Sequence, residues 1–215
     1  METKPTEKIL VDHQYPLKHW ETKESLVRIA KVFNFKLIAP LKNLGAHHGF
    51  NWALKQIDLQ PEDIVFGVDP DCNIVTPGWD KAMIQVFTAQ PRIGSLSLLL
   101  DAIVPHNQSN WAIDTINGIK VGFLNKPEMF NVTGWKGEFL LASGGLKALM
   151  GFYGHVEVAM RHEAQTHHFR QGYLMDYRET FNLVPHDEEY NKWKGLHVGG
   201  YKKNFGEYLK ENGIN

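Results

Sequence analysis

Cysteine is nearly absent from this 215-residue chain, where Cys72 stands alone. A single thiol excludes an intramolecular disulfide and a thiolate zinc cluster, and it fits a reducing compartment. A surplus of either charge is also missing, with 23 Lys and Arg against 24 Asp and Glu and a formal net charge of -1. Such a balance gives no global electrostatic pull toward nucleic acid or an anionic membrane. No apolar run is long enough to span a bilayer, and Met1 to Lys8 has no apolar core of the signal-peptide kind. The expectation is a cytoplasmic protein with at most peripheral membrane contact. Repeats, low-complexity tracts and linkers are lacking too. With 43% hydrophobic residues, the chain reads as one domain over 1-215, its tail at 187-215 forming a cap.

What is present is an alternation of short apolar segments and helical patterns. Ile9-Leu10-Val11 reads as a buried strand closed by Asp12, and Leu26, Ile29, Ala30 and Phe33 mark one face of a helix from Thr22. Phe35 to Ile38 is a second strand. The turn Asn43-Leu44-Gly45-Ala46 opens a helix through Phe50, Ala53, Leu54 and Ile57, and Ile64 to Val68 is a third strand. Strand, helix, strand, helix, strand is the pattern of a parallel sheet with right-handed crossovers. Farther on, a helix is expected over Asp80 to Phe87 and a strand over Ile93 to Leu100. A hairpin with variable loops is expected between Asp101 and Trp135, and a late strand over Gly172 to Tyr177. Phe139 to Ala142 reads as a strand turning at Ser143-Gly144-Gly145 into a helix through Leu146, Leu149 and Met150.

The third strand ends in Asp69-Pro70-Asp71. Residues two apart on an extended backbone point the same way, so the two carboxylates can converge on one cation, and hard oxygen ligands suit Mg²⁺ or Mn²⁺. A solvated turn after a strand explains an isolated Asp-x-Asp equally well. Its surroundings favour the metal. Ligands of open α/β sheets bind beyond the carboxyl ends of strands, and Asp12, Asn43 and the Asp69/Asp71 pair all fall at such ends.

In order and spacing these features resemble the GT-A fold glycosyltransferases, above all the large inverting family 2 type. The residues that carry the likeness are Ile9-Leu10-Val11-Asp12, Asn43-Leu44-Gly45, Asn51, Asp69-Pro70-Asp71 and Gly154-His155-Val156-Glu157, and it covers Lys8 to Tyr177. The fold it implies is α/β, a mostly parallel Rossmann-like sheet flanked by helices with a small antiparallel element. The donor it implies is a nucleoside-diphosphate sugar, a UDP-sugar first. Carried across, Asp12, Asn43, Gly45, Asn51 and Asp69 bind the nucleotide, and Asp69 and Asp71 hold the metal. Glu157 takes the place of the catalytic base, since an inverting transfer needs a group that accepts the acceptor hydroxyl's proton. Gly144 and Gly145 wall the donor sugar. A late His commonly completes the metal site, and His186 is preferred to its rival His197. The chain departs from the family at two places. Only seven residues precede Lys8, where members carry a further strand and helix, so the resemblance implies a domain trimmed there or completed by a partner or a second copy. Glu157 also stands without the second acid usual in its motif.

Trp135, between Gly134 and Lys136, is expected near an acceptor, because sugar faces stack on aromatic rings. His162, Glu163, His167 and His168 read as a polar helix face. The basic, aromatic tail from Tyr190 could touch an anionic acceptor, a lipid-phosphate surface or nucleic acid, and its default reading is a cap on the domain. Two other functions share these features. A sugar-phosphate nucleotidylyltransferase also uses carboxylate-bound Mg²⁺, but it needs an early Gly-rich loop that this chain lacks. A non-catalytic sugar-nucleotide-binding or interaction domain fits the short amino terminus.

Overall fold

The computed structural model describes residues 5, 7–12, 20–40, 46–69, 72–100, 111–124, 131–148 and 156–181. Strand β1 (Ile9–Val11), helix α1 (Trp20–Phe33) and strand β2 (Lys36–Ile38) form a β-α-β unit whose strands pair in parallel. Helix α2 (Ala46–Leu54) then leads to β3 (Ile64–Val68), β4 (Cys72–Ile74) and helix α3 (Trp79–Ala89). After β5 (Ile93–Leu100) come β6 (Ala112–Ile116), β7 (Ile119–Phe123) and β8 (Val132–Lys136). Helices α4 (Gly137–Ser143) and α5 (Val156–Thr166) precede the last described strand, β9 (Arg170–Phe181).

The larger sheet has the order β3-β8-β5-β9-β7-β6, with β4 pairing onto β9. Strands β5 and β9 pair in parallel, and β3 runs in the same direction because antiparallel β8 lies between β3 and β5. The sheet is therefore mixed, flanked by helices on both faces. The residues of β5 are all buried, as in a strand covered on both faces, Ser95 and Ser97 among its apolar residues included.

Helix α3 covers one face. Trp79, Ala82, Met83, Val86 and Phe87 recur at helical spacing and pack with Leu96, Leu98, Val121, Val132 and Leu174. On the other face Phe139 and Leu140 of α4 and Met160 and Ala164 of α5 pack with Trp135 and Phe169, while Phe50 and Leu54 of α2 join from the side. Each fully buried Leu or Phe contributes about 1.5–3 kcal/mol of transfer free energy. The turn between β6 and β7 is built from Asn117 and Gly118, with φ of 50° and 80°. Positive φ at both centres fits a type I′ hairpin, for which Asn-Gly is the preferred pair.

Three expectations change. Phe139 to Ala142 is helical rather than extended, because winding this segment buries Phe139, Leu140 and Ser143 together. Residues 146–148 are not helical, and 149–150 lie outside the described residues. Among the described residues, β1 and β2 form their own two-stranded sheet, and β3 takes β8 as its neighbour. Strand β8 was not expected as a separate element, since Val132-Thr133-Gly134-Trp135-Lys136 lacks clean alternation.

One buried polar contact ties β8 to β5, where the hydroxyls of Ser97 and Thr133 lie 2.8 Å apart. Thr133→Val keeps the shape, removes one hydroxyl and leaves Ser97 without that partner. The expected cost is about 1–2 kcal/mol. At this chain length that lowers the melting temperature by roughly 2–8 °C in calorimetry, and an unchanged transition would contradict the assigned contact.

Candidate functional site

The β3 run ends at Val68, and Asp69 follows at the carboxyl end of the strand. Two main-chain bonds fix it there. The Asp69 N–H donates to the Asn131 carbonyl at 2.9 Å, and the Cys72 N–H donates to the Asp69 carbonyl at 3.3 Å. The residue itself is exposed. Asp12 holds the matching position after β1, its N–H donating to the Ile38 carbonyl at 2.8 Å. Two carboxylates thus stand at strand carboxyl ends, where the sequence pattern places them.

Asn51 lies on α2 and reaches the segment after α4. Its Nδ2 donates to the Leu146 carbonyl at 2.7 Å, and its Oδ1 accepts the Leu146 N–H at 2.7 Å. Expected beside the nucleotide, Asn51 has both ends of its carboxamide engaged by main chain. The turn it holds contains Gly144 and Gly145, with φ of 68° and 97°. A Cβ on Gly145 would come within 2.5 Å of Asn51 Oδ1, so only glycine fits the clamp. The Ser143 hydroxyl closes the turn from inside by donating toward the carbonyls of Phe139, Leu140 or Gly145. Ser143 is buried and committed to this packing.

Glu157 sits in the first turn of α5 and is half-buried. Just past the end of that helix, His167 Nε2 lies 3.4 Å from Glu163 Oε2. Asn43, Gly45, Asp71, His186 and its rival His197 lie outside the described residues, as does the tail at 187-215.

The expectation for Trp135 is corrected. The residue is 2% exposed and lies in the core against Phe139, with ring centroids 6.2 Å apart. A ring covered by protein offers no face to a sugar, and Trp135 fills the core instead. Trp79 is likewise buried, edge-on to Phe66.

Among the described residues, no group of three or more His, Cys, Asp or Glu is assembled around a metal-sized space. The donor that the described part offers is the Asp69 carboxylate, a hard oxygen ligand of the type that Mg²⁺ and Mn²⁺ take. By donor type, the two carboxylates of Asp69 and Asp71 would suit such a cation. Sequence reasoning missed Asn131, which anchors Asp69 through its main chain. A backbone contact leaves no signature in side-chain identity.

No family model matches this sequence, and no curated protein matches it significantly. Solved structures match its fold. GalNAc-T7, crystallised with UDP, GalNAc and Mn²⁺, superposes with a TM-score of 0.62 at 11% identity, over 81% of this chain and 37% of that one. The mannosyltransferase PcManGT from Pyrobaculum calidifontis, in complex with GDP-Man and Mn²⁺, gives 0.59 at 18% identity over 89% of this chain and 52% of that one. S. aureus TarS 1-349, in complex with UDP-GlcNAc, gives 0.52 at 15% identity over 81% and 49%. The chain has the GT-A fold of these glycosyltransferases. It spans about half or less of the length of each. Among the described residues, no helix is long and apolar enough to cross a membrane.

Proposed function

We propose that this chain is a metal-dependent glycosyltransferase domain that moves a sugar from a nucleoside-diphosphate sugar to an acceptor hydroxyl with inversion. The observation that carries the reading is Asp69, fixed at the carboxyl end of β3 by Asn131 and Cys72. It stands in a fold shared with structures holding UDP or GDP-Man together with Mn²⁺. Asp69 and Asp71 hold Mn²⁺ or Mg²⁺, with His186 as a third ligand. When bound, the cation neutralises charge on the departing diphosphate.

The remaining work falls to the protein. Asp12, Asn43 and Gly45 hold the nucleotide, a UDP-sugar first. Asn51 acts on the pocket through the Gly144-Gly145 turn, which walls the donor sugar. Glu157 accepts the proton of the acceptor hydroxyl as its oxygen attacks the anomeric carbon, and the nucleoside diphosphate leaves from the opposite face. Orientation supplies much of the acceleration.

A thermal-shift panel of UDP, GDP and their sugars, with and without Mn²⁺, tests the reading. A ligand at a hundred times its dissociation constant stabilises the native state by about 2.7 kcal/mol. For a chain of this length, that raises the melting temperature by roughly 5–10 °C. The shift is expected with Mn²⁺ present and is expected to vanish in EDTA. No response to any nucleotide would overturn the proposal, and binding without transfer or donor hydrolysis would favour a sugar-nucleotide-binding domain.

A further inference from the structure

Glu179 is fully buried in β9, beside the Asp69 turn. A carboxylate is an unfavourable filler for such a place, between Leu100 of β5 and Ile74 of β4, unless it makes a specific bond. The bond is present, since Glu179 Oε1 accepts the N–H of Asn131 at 3.0 Å. Asn131 in turn presents its carbonyl to the Asp69 N–H at 2.9 Å. One peptide segment is thus held by Glu179 on one side and holds Asp69 on the other. Strand β9 also holds the chain that follows the turn. Strand β4, which begins one position after Asp71, pairs with β9 at Cys72↔Phe181, Asn73↔Thr180 and Ile74↔Glu179.

The sheet brings the residue there by an irregularity. Leu98 pairs with Leu174, but Leu99 pairs with Arg178, so Met175-Asp176-Tyr177 is left out of register. The shift places Glu179 level with the last residue of β5 and within reach of Asn131.

We propose that Glu179 is a positioning residue, which aims the Asp69 carboxylate by holding Asn131, whose carbonyl accepts the Asp69 N–H. This inference rests on the reading of Asp69 as a metal ligand. Partners that orient a metal-binding carboxylate typically change metal affinity by 10–100-fold.

The test compares Glu179→Gln, which keeps an acceptor oxygen, with Glu179→Met, which keeps the volume and removes the acceptor. Glu179→Asp withdraws the oxygen by one methylene and serves if the Met variant does not fold. Two readouts are taken on the full chain: Mn²⁺ affinity by titration with MnCl₂ in the presence of UDP, and amide hydrogen exchange of the segment 66–74. Glu179→Met is expected to weaken Mn²⁺ binding about tenfold or more and to speed exchange in that segment, with exchange in β5 unchanged. Glu179→Asp is expected to do the same to a smaller degree, and Glu179→Gln to stay close to wild type. Wild-type exchange in the segment for both Met and Asp variants would overturn the clamp, as would loss of β5 protection in step with it. Should the wild-type protein bind no Mn²⁺, the metal reading of Asp69 fails, while the exchange data still decide whether Glu179 holds the turn.

Discussion

Alanine at position 71 is expected to abolish divalent-metal-dependent nucleotide binding, and alanine at position 69 to reduce it severely. Each substitution removes a hard oxygen donor from a site where two acids, separated by one residue, follow the apolar strand β3. Charge neutralisation by a bound cation is worth several kcal/mol at a transferring phosphoryl or diphosphate group. Since every 1.4 kcal/mol or so is a factor of ten, sugar transfer should fall by about 10³-fold or more. Asp69→Ala keeps the two main-chain bonds that fix the turn. The Asp69 main chain, not its carboxylate, makes the bonds to Asn131 and Cys72, and the residue is exposed. Calorimetric titration of UDP-sugar with and without EDTA reads the effect directly. Equal affinity in both conditions for the wild-type protein, or wild-type affinity in Asp71→Ala, would remove the metal assignment.

Asn51→Ala is expected to produce the largest loss of stability that follows from the site. The side chain makes paired 2.7 Å bonds to the Leu146 N–H and carbonyl, and its removal leaves two half-buried main-chain groups without them. The expected cost is about 2–4 kcal/mol. At this length that lowers the melting temperature by roughly 4–16 °C. Asn51→Asp should do no better, because it places a carboxylate oxygen against the Leu146 carbonyl. Gly145→Ala meets the clamp from the other side, with a Cβ 2.5 Å from Asn51 Oδ1 on a backbone with φ of 97°. The clash disappears when Asn51 is also alanine, so the double variant should be less destabilised than the sum of the singles. Additive effects would show that the two residues do not bear on one another.

Elements with strong local signals were legible before the fold was known. Strands β3 and β5 stand where their apolar runs place them, and helix α3 differs from expectation by one or two residues at its ends. In each case the period of the pattern and the burial of the element coincide. The Asp12 and Asp69 positions were legible for a related reason, since an acid closing an apolar run marks a strand's carboxyl end. The readings that failed had weak or misleading local signals. Phe139-Leu140-Leu141-Ala142 is too short for its composition to separate helix from strand, and packing against α5 and β8 decides for helix. Trp135 looked available because glycines and charges surround it, yet β8 lies between β3 and β5 and the ring is buried. Glu179 was invisible as a clamp, because its partner is a main-chain N–H 48 positions away.

By itself the sequence determined the chemistry on offer: one thiol, balanced charge, and acids placed directly after apolar strands. Composition and short-range periodicity settle such matters because they depend only on which residues stand near one another along the chain. Tertiary structure decided which of those groups are aimed, through Asn131 on Asp69, Asn51 on Leu146 and Glu179 on Asn131. Those contacts are long-range and largely made to backbone, and every residue carries the same N–H and carbonyl, so no choice of side chain announces them in advance.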